Sequence, residues 1–143
     1  MKVVSTTEKA AFVTFVLVTM AYLYWITTKT PNWKQDRMIT TMIFVTALTA
    51  LSTVLQNDIL GNIAHTLYAA ILVYALTDSD NKDVVLLTVF LTLMATVVNI
   101  VFKRCTWAAI FNYSTDYKDK SNRIARDTAV LSGALFVKYL MLN

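Results

Sequence analysis

Few side chains in this sequence are of types that do chemistry, and they fall into three groups. The first centres on His65, the only histidine. Asn62, one helical turn earlier, shares its face, as does Thr66. A neighbouring helix running the opposite way would bring Asn99 to a similar depth. The end of another would add Ser52, Thr53 and Gln56, and a fourth would add Thr14. Inside a bilayer such a cluster could relay a proton or hold a polar head group. It could equally be a hydrogen-bond network between helices, each contact worth about 1 kcal/mol or less. No Asp or Glu lies in the apolar runs that carry these residues. A relay would therefore lack its acidic partner, and the network is the stronger reading.

The second group is a pair of hydroxyl stripes. Threonine is the commonest residue, at 20. Thr46, Thr49, Thr53 and Gln56 fall on one helix face, and Thr88, Thr92, Thr96 and Asn99 on another. Such stripes could line an aqueous pore. More often the hydroxyl bonds the carbonyl one turn back and lets helices approach closely. Ala47, Ala50, Ala69 and Ala70 would help that approach, so packing is expected.

The third group is basic. Lys103 and Arg104 close an apolar run, and Trp107, Phe111, Tyr113 and Tyr117 then mix with Lys118, Lys120, Arg123 and Arg126. Aromatics among cations can bind single-stranded nucleic acid. They are also what a segment resting on anionic lipid looks like. Beside membrane spans, anionic lipid head groups are the expected partner. An acidic protein partner comes next and nucleic acid last.

Familiar motifs fail at specific positions. Asp78, Asp80, Asn81 and Asp83 resemble the start of a calcium loop, but Asp83 stands where glycine is needed and Val89 where the last ligand belongs. Asn112-Tyr113-Ser114 fits the glycosylation pattern but falls on the side expected to be cytosolic. One cysteine, Cys105, and one histidine make no disulfide, zinc site or haem pair within the chain. No phosphate loop, nucleophile elbow or buried carboxylate pair is present. No enzyme activity and no cofactor or metal are expected.

These groups must be held by long apolar elements. Of 143 residues 57% are hydrophobic and 15% charged, with mean hydropathy +0.54. A soluble domain carries about a quarter charged residues, and disorder needs fewer apolar ones. Segments 10–28, 38–56, 59–77 and 84–102 each hold 19 residues without Asp, Glu, Lys or Arg. As helix, 19 residues span about 28 Å, near the hydrocarbon thickness. A fifth segment, 124–142, carries Arg126, Asp127 and Lys138. Lys138 could snorkel to the far interface, and a fifth span is preferred over a helix lying on the membrane. The first run is too long, and too aromatic at Tyr22, Tyr24 and Trp25, for a cleaved signal peptide.

The expected fold is an all-α integral membrane protein. It is an up-and-down bundle of four transmembrane helices with a fifth at the C terminus, one multi-pass domain over residues 1–143. Asn57 and Asp58 form a tight turn, with Asp58 suited to cap the next helix. Lys2, Lys9, Lys103, Arg104, Lys118, Lys120 and Arg123 gather on one side, against Lys29, Lys34, Arg37 and Lys82 on the other. The N terminus and the fourth loop should therefore face the cytosol or its equivalent.

Glycine and proline choose among membrane roles. Typical usage gives about 10 Gly and about 7 Pro at this length; the chain has 2 and 1. Transporters commonly interrupt their spans with these residues. Continuous spans without buried charge suit a rigid body. The expected role is a structural subunit that anchors or organises a larger membrane-associated assembly. The inner membrane of a large virus, or an accessory place in an organellar complex, would suit it. The alternative is a small oligomeric channel or carrier lined by the Thr/Asn stripes.

Overall fold

A computed structural model describes residues 3–112 and 121–142, except for the side chains of 121 and 122. Its elements are α1 (Thr6–Lys29), a 3-10 turn (Trp33–Gln35), α2 (Arg37–Leu55), α3 (Asp58–Asp78), α4 (Lys82–Phe102), α5 (Thr106–Ile110) and α6 (Ser121–Met141). No strand occurs among the described residues. Helices α1 to α4 are each long and apolar enough to cross a membrane.

Short polar signals start each helix. Ser5 and Glu8 form a reciprocal capping box at α1, and Asp36 and Asn81 accept two backbone N–H groups each at α2 and α4. At α3 the cap is Asn57, which accepts from the Leu60 N–H. This corrects the expectation for Asp58, which lies one residue too far into the helix to reach its first free N–H groups and instead accepts from Asn112. Helix α1 stops at Thr30, before Pro31. Left-handed backbone occurs at Asn32, Gln56, Lys103 and Asn112, and at neither glycine. The turns thus close without the residue usually used for them.

Helices α1 to α4 form an antiparallel square, with α1 against α2 and α4, and α3 against α2 and α4. Ile26, Ile39, Val45, Leu87 and Leu91 fill its centre. Outward faces are equally apolar, with Leu17, Phe44, Val54, Val73, Val97 and Ile100 exposed. A helix apolar on every side belongs in lipid. The alanines packed inside are Ala64 and Ala75, both fully buried, whereas Ala47, Ala69 and Ala70 are exposed.

Helix α6 runs antiparallel along α4. The Thr96 and Thr128 hydroxyls meet at one end (2.8 Å), Ser132 donates to the Val89 carbonyl midway, and the Lys82 ammonium lies over the Tyr139 ring at the other. Lys138 does not point away from the bundle. Its Nζ donates to the Ala75 carbonyl of α3 at 2.9 Å. That carbonyl lies at the last turn of α3, which carries the negative end of the helix dipole.

Candidate functional site

Past Lys103 the chain turns back under the bundle, and one turn of helix, α5, plugs the end. Trp107 and Phe111 lie four residues apart, so both point inward, 8% and 2% exposed. Phe12 meets both edge-on, at centroid distances of 5.3 and 5.8 Å. The Trp107 indole N–H donates to the Gly61 carbonyl (3.2 Å), and the Asn62 amide donates to the Phe111 carbonyl (3.2 Å). Gly61 is needed for this contact: a Cβ there would lie 2.1 Å from the Phe111 ring.

The plug brings the single cysteine to the single histidine. His65 stacks on Trp107, ring centroids 5.2 Å apart and 21° from parallel, with Nε2 3.7 Å from the Cys105 sulfur. Cys105 and His65 are separated by 40 positions, and the sequence reading treated them apart. Burial pushes the Cys105 thiol above its ordinary value. The pair thus sets a thiol whose ionisation burial opposes beside an imidazole.

Behind the plug is a cavity of about 150 Å³ between α1, α3, α4, α5 and α6. Phe12, Phe15, Leu72, Met94, Ala95 and Val98 supply apolar wall, and His65, Tyr68, Asn99, Cys105, Thr106 and Thr128 the polar part. The Tyr68 hydroxyl and the Thr106 Oγ1 are buried with no hydrogen-bond partner among the described residues, as is the Asn62 Oδ1.

Of the residues expected to cluster, His65 and Asn99 share this cavity, and Asn62 lies beside it holding the plug. Thr66 faces outward and bonds the Asn62 carbonyl, and Thr53 bonds the Thr49 carbonyl on α2, away from the cavity. Thr14 is also exposed on the outside of α1. Tyr68 went unnoticed, although it follows His65 by three residues on the same face. Thr106 gave no local signal, and Phe111 was read as an interfacial aromatic although it is buried.

Among the basic residues, Lys103 is exposed. Arg104 forms a bidentate pair with Glu8, Nε to Oε1 at 2.8 Å and Nη2 to Oε2 at 2.6 Å, and also reaches the Val3 carbonyl. Its guanidinium is therefore engaged within the chain. Trp107, read as part of an interfacial loop, is inside the bundle. Arg123 is exposed, 3.9 Å from Asp127, while Lys118 and Lys120 lie outside the described residues. Glu8, 3% exposed, went unnoticed in the sequence both as the capping partner of Ser5 and as the distant partner of Arg104.

The hydroxyl stripes are packing surfaces. Thr49, Thr88, Thr92 and Thr96 are at most 9% exposed, and each donates to a carbonyl three or four residues back at 2.7–2.9 Å. With their protons spent on their own helices, they have little left to offer water.

Comparison with protein-family models, curated proteins and solved structures finds no match to this chain.

Proposed function

We propose that this chain is a structural membrane subunit, a stiff bundle that anchors a larger assembly through its basic end. The observation that supports this most is the closure of the buried stripe threonines Thr49, Thr92 and Thr96 on their own backbones. Ties at both ends suit the same role: Glu8 with Arg104 at one, Lys138 with the Ala75 carbonyl at the other. In this reading Lys103, Lys118, Lys120 and Arg123 engage anionic head groups and an acidic face of the partner. The membrane is that of a virus particle or an organelle.

The N terminus and the segment after α4 face the cytosol or its equivalent, and α6 is a fifth span. Its alignment with α4 at 96–128, 89–132 and 82–139 supports that reading. Epitope tags before Met1 and after Asn143 are therefore expected on opposite faces of sealed vesicles, scored by antibody access. Both tags on one face would return α6 to the surface of the membrane.

The role itself is tested by flux and assembly together. Reconstituted protein is expected to conduct no ions or small solutes above protein-free vesicles. Neutralising Lys103, Lys118, Lys120 and Arg123 to Gln is expected to shrink the native complex extracted from its membrane. A leak that bulky replacement of Thr49 or Thr92 abolishes would replace the subunit with a channel.

A further inference from the structure

We propose that the cavity behind α5 seats a stretch of one acyl chain of an anionic phospholipid, whose head group lies at the basic end of the bundle. This rests on the membrane-spanning reading above, and on no particular protein partner. The first observation is that the open wall is mostly carbon, although polar residues stand around it. The Tyr68 hydroxyl and the Thr106 Oγ1 are buried beneath that surface. The Thr128 hydroxyl bonds the carbonyls of Ile124 and Ala125, Cys105 and His65 meet each other, and the Trp107 N–H is held by Gly61. Phe12, Phe15, Leu72, Met94, Val98 and Ile124 supply the greater part of what faces the space. A cavity of about 150 Å³ with such a wall stays dry and takes hydrocarbon.

The second observation is where the cavity opens. Among its lining residues Ala69 of α3 is exposed, and Ala95 and Val98 of α4 and Ile124 and Thr128 of α6 are half-buried. It is therefore a crevice in the side of the bundle, open to whatever surrounds the helices. Its lining on α3 runs from His65 to Leu72, about 10 Å of helix, along the direction in which lipid chains lie. The third observation is charge. Lys103, exposed, stands two residues before Cys105, and Arg123, exposed, immediately before Ile124; both Cys105 and Ile124 line the crevice. Arg126 is exposed beside them, and the acid on this turn of α6 is Asp127, 3.9 Å from Arg123 and 3.6 Å from Arg126. Glu8 is already taken by Arg104. Cations thus exceed acids next to the crevice, which fits a negative head group. The chain of a neutral lipid would fill the same space, so the cations are what choose between the two.

The test uses the full chain with Trp25→Phe and Trp33→Phe, so that Trp107, which lines the crevice, is the sole indole. It is reconstituted in phosphatidylcholine vesicles that contain a rising fraction of either phosphatidylglycerol or phosphatidylcholine brominated on the acyl chains. Bromine quenches an indole on contact. Brominated phosphatidylglycerol is expected to quench Trp107 saturably, at about fivefold lower fraction than brominated phosphatidylcholine, the worth of one basic residue beside an anionic head group. Lys103→Gln with Arg123→Gln and Arg126→Gln is expected to remove that preference and leave the quenching. Ala95→Leu fills the crevice and is expected to remove quenching by both lipids; Ala69→Leu does so at the mouth if the first variant fails to fold. Resistance of the protein to alkaline extraction from the vesicles is scored alongside. Its loss would end the membrane reading and the proposal together. With resistant protein, the proposal alone is overturned by an unquenched Trp107, by equal quenching from the two lipids, by a preference that survives neutralisation, or by quenching that persists when the crevice is filled.

Discussion

Replacing Glu8 by Gln is expected to lower the stability of the bundle by about 3 kcal/mol, because it leaves the Arg104 cation in a largely desolvated place without its anion. The Glu8 side chain is 3% exposed and that of Arg104 16%, and two hydrogen bonds of 2.6 and 2.8 Å join them. Short, forked bonds of this kind are the strong ones among ion pairs. Gln keeps an oxygen that can still receive the Ser5 backbone N–H, so this variant separates the ion pair from the helix cap. Glu8→Ala removes both, and the added loss of the capping box should cost about 1 kcal/mol more. Replacing both partners, Glu8→Leu with Arg104→Met, is expected to cost less than either single change, since no buried charge is then stranded. Reversible unfolding in mixed micelles measures each of these proteins against the parent. If Glu8→Gln shifts stability by less than about 0.5 kcal/mol, the range of an ordinary surface change, the pair does not fasten the end of the bundle.

The two glycines are expected to respond in opposite directions to the same substitution. At Gly61 a methyl group would lie 2.1 Å from Cδ1 and 2.2 Å from Cγ of Phe111. That ring cannot swing away, because it is 2% exposed and packed against Phe12. Gly61→Ala must therefore push α5 off α3, with loss of the Trp107 bond to the Gly61 carbonyl and of the Asn62 bond to Phe111. A cost of about 3 kcal/mol is expected, the upper part of the usual range for overpacking. Trp107 emission should shift red as the indole meets water. At Gly133 nothing lies within 4 Å of the added carbon, and Ala there should stabilise α6 by about 0.5–1 kcal/mol through helix propensity. Pairing Gly61→Ala with Phe111→Ala is expected to cost less than the sum of the two single changes, the signature of residues in direct contact. Additive costs would mean that α5 does not dock where Gly61 leaves room.

What could be read in the sequence was what depends on neighbours along the chain. Four apolar runs gave four helices whose ends differ by a few residues from the expected ones, because run length and the polar residues flanking each run are local facts. The threonine stripes were read as packing because a hydroxyl facing its own preceding turn is satisfied without any partner helix. Local reading slipped where two adjacent residues compete for one task, as Asn57 and Asp58 did for the α3 cap.

Contacts between distant segments needed the fold. Glu8 and Arg104 are separated by 96 positions, Asn62 and Phe111 by 49, and Lys138 and Ala75 by 63, and nothing in their immediate surroundings marks them as partners. Trp107 was assigned to the membrane surface because aromatics beside cations favour an interface; the tertiary structure turns it inward to cover the end of the bundle. Scarcity of glycine pointed to stiffness from composition alone. Only the packed structure adds where the one constrained glycine is spent: its missing side chain makes the space for a ring 50 residues further on. The chain's own chemistry dictated helices that belong in lipid. Which of their faces meet was settled by side-chain volumes and hydrogen bonds that come together only when distant segments fold against one another.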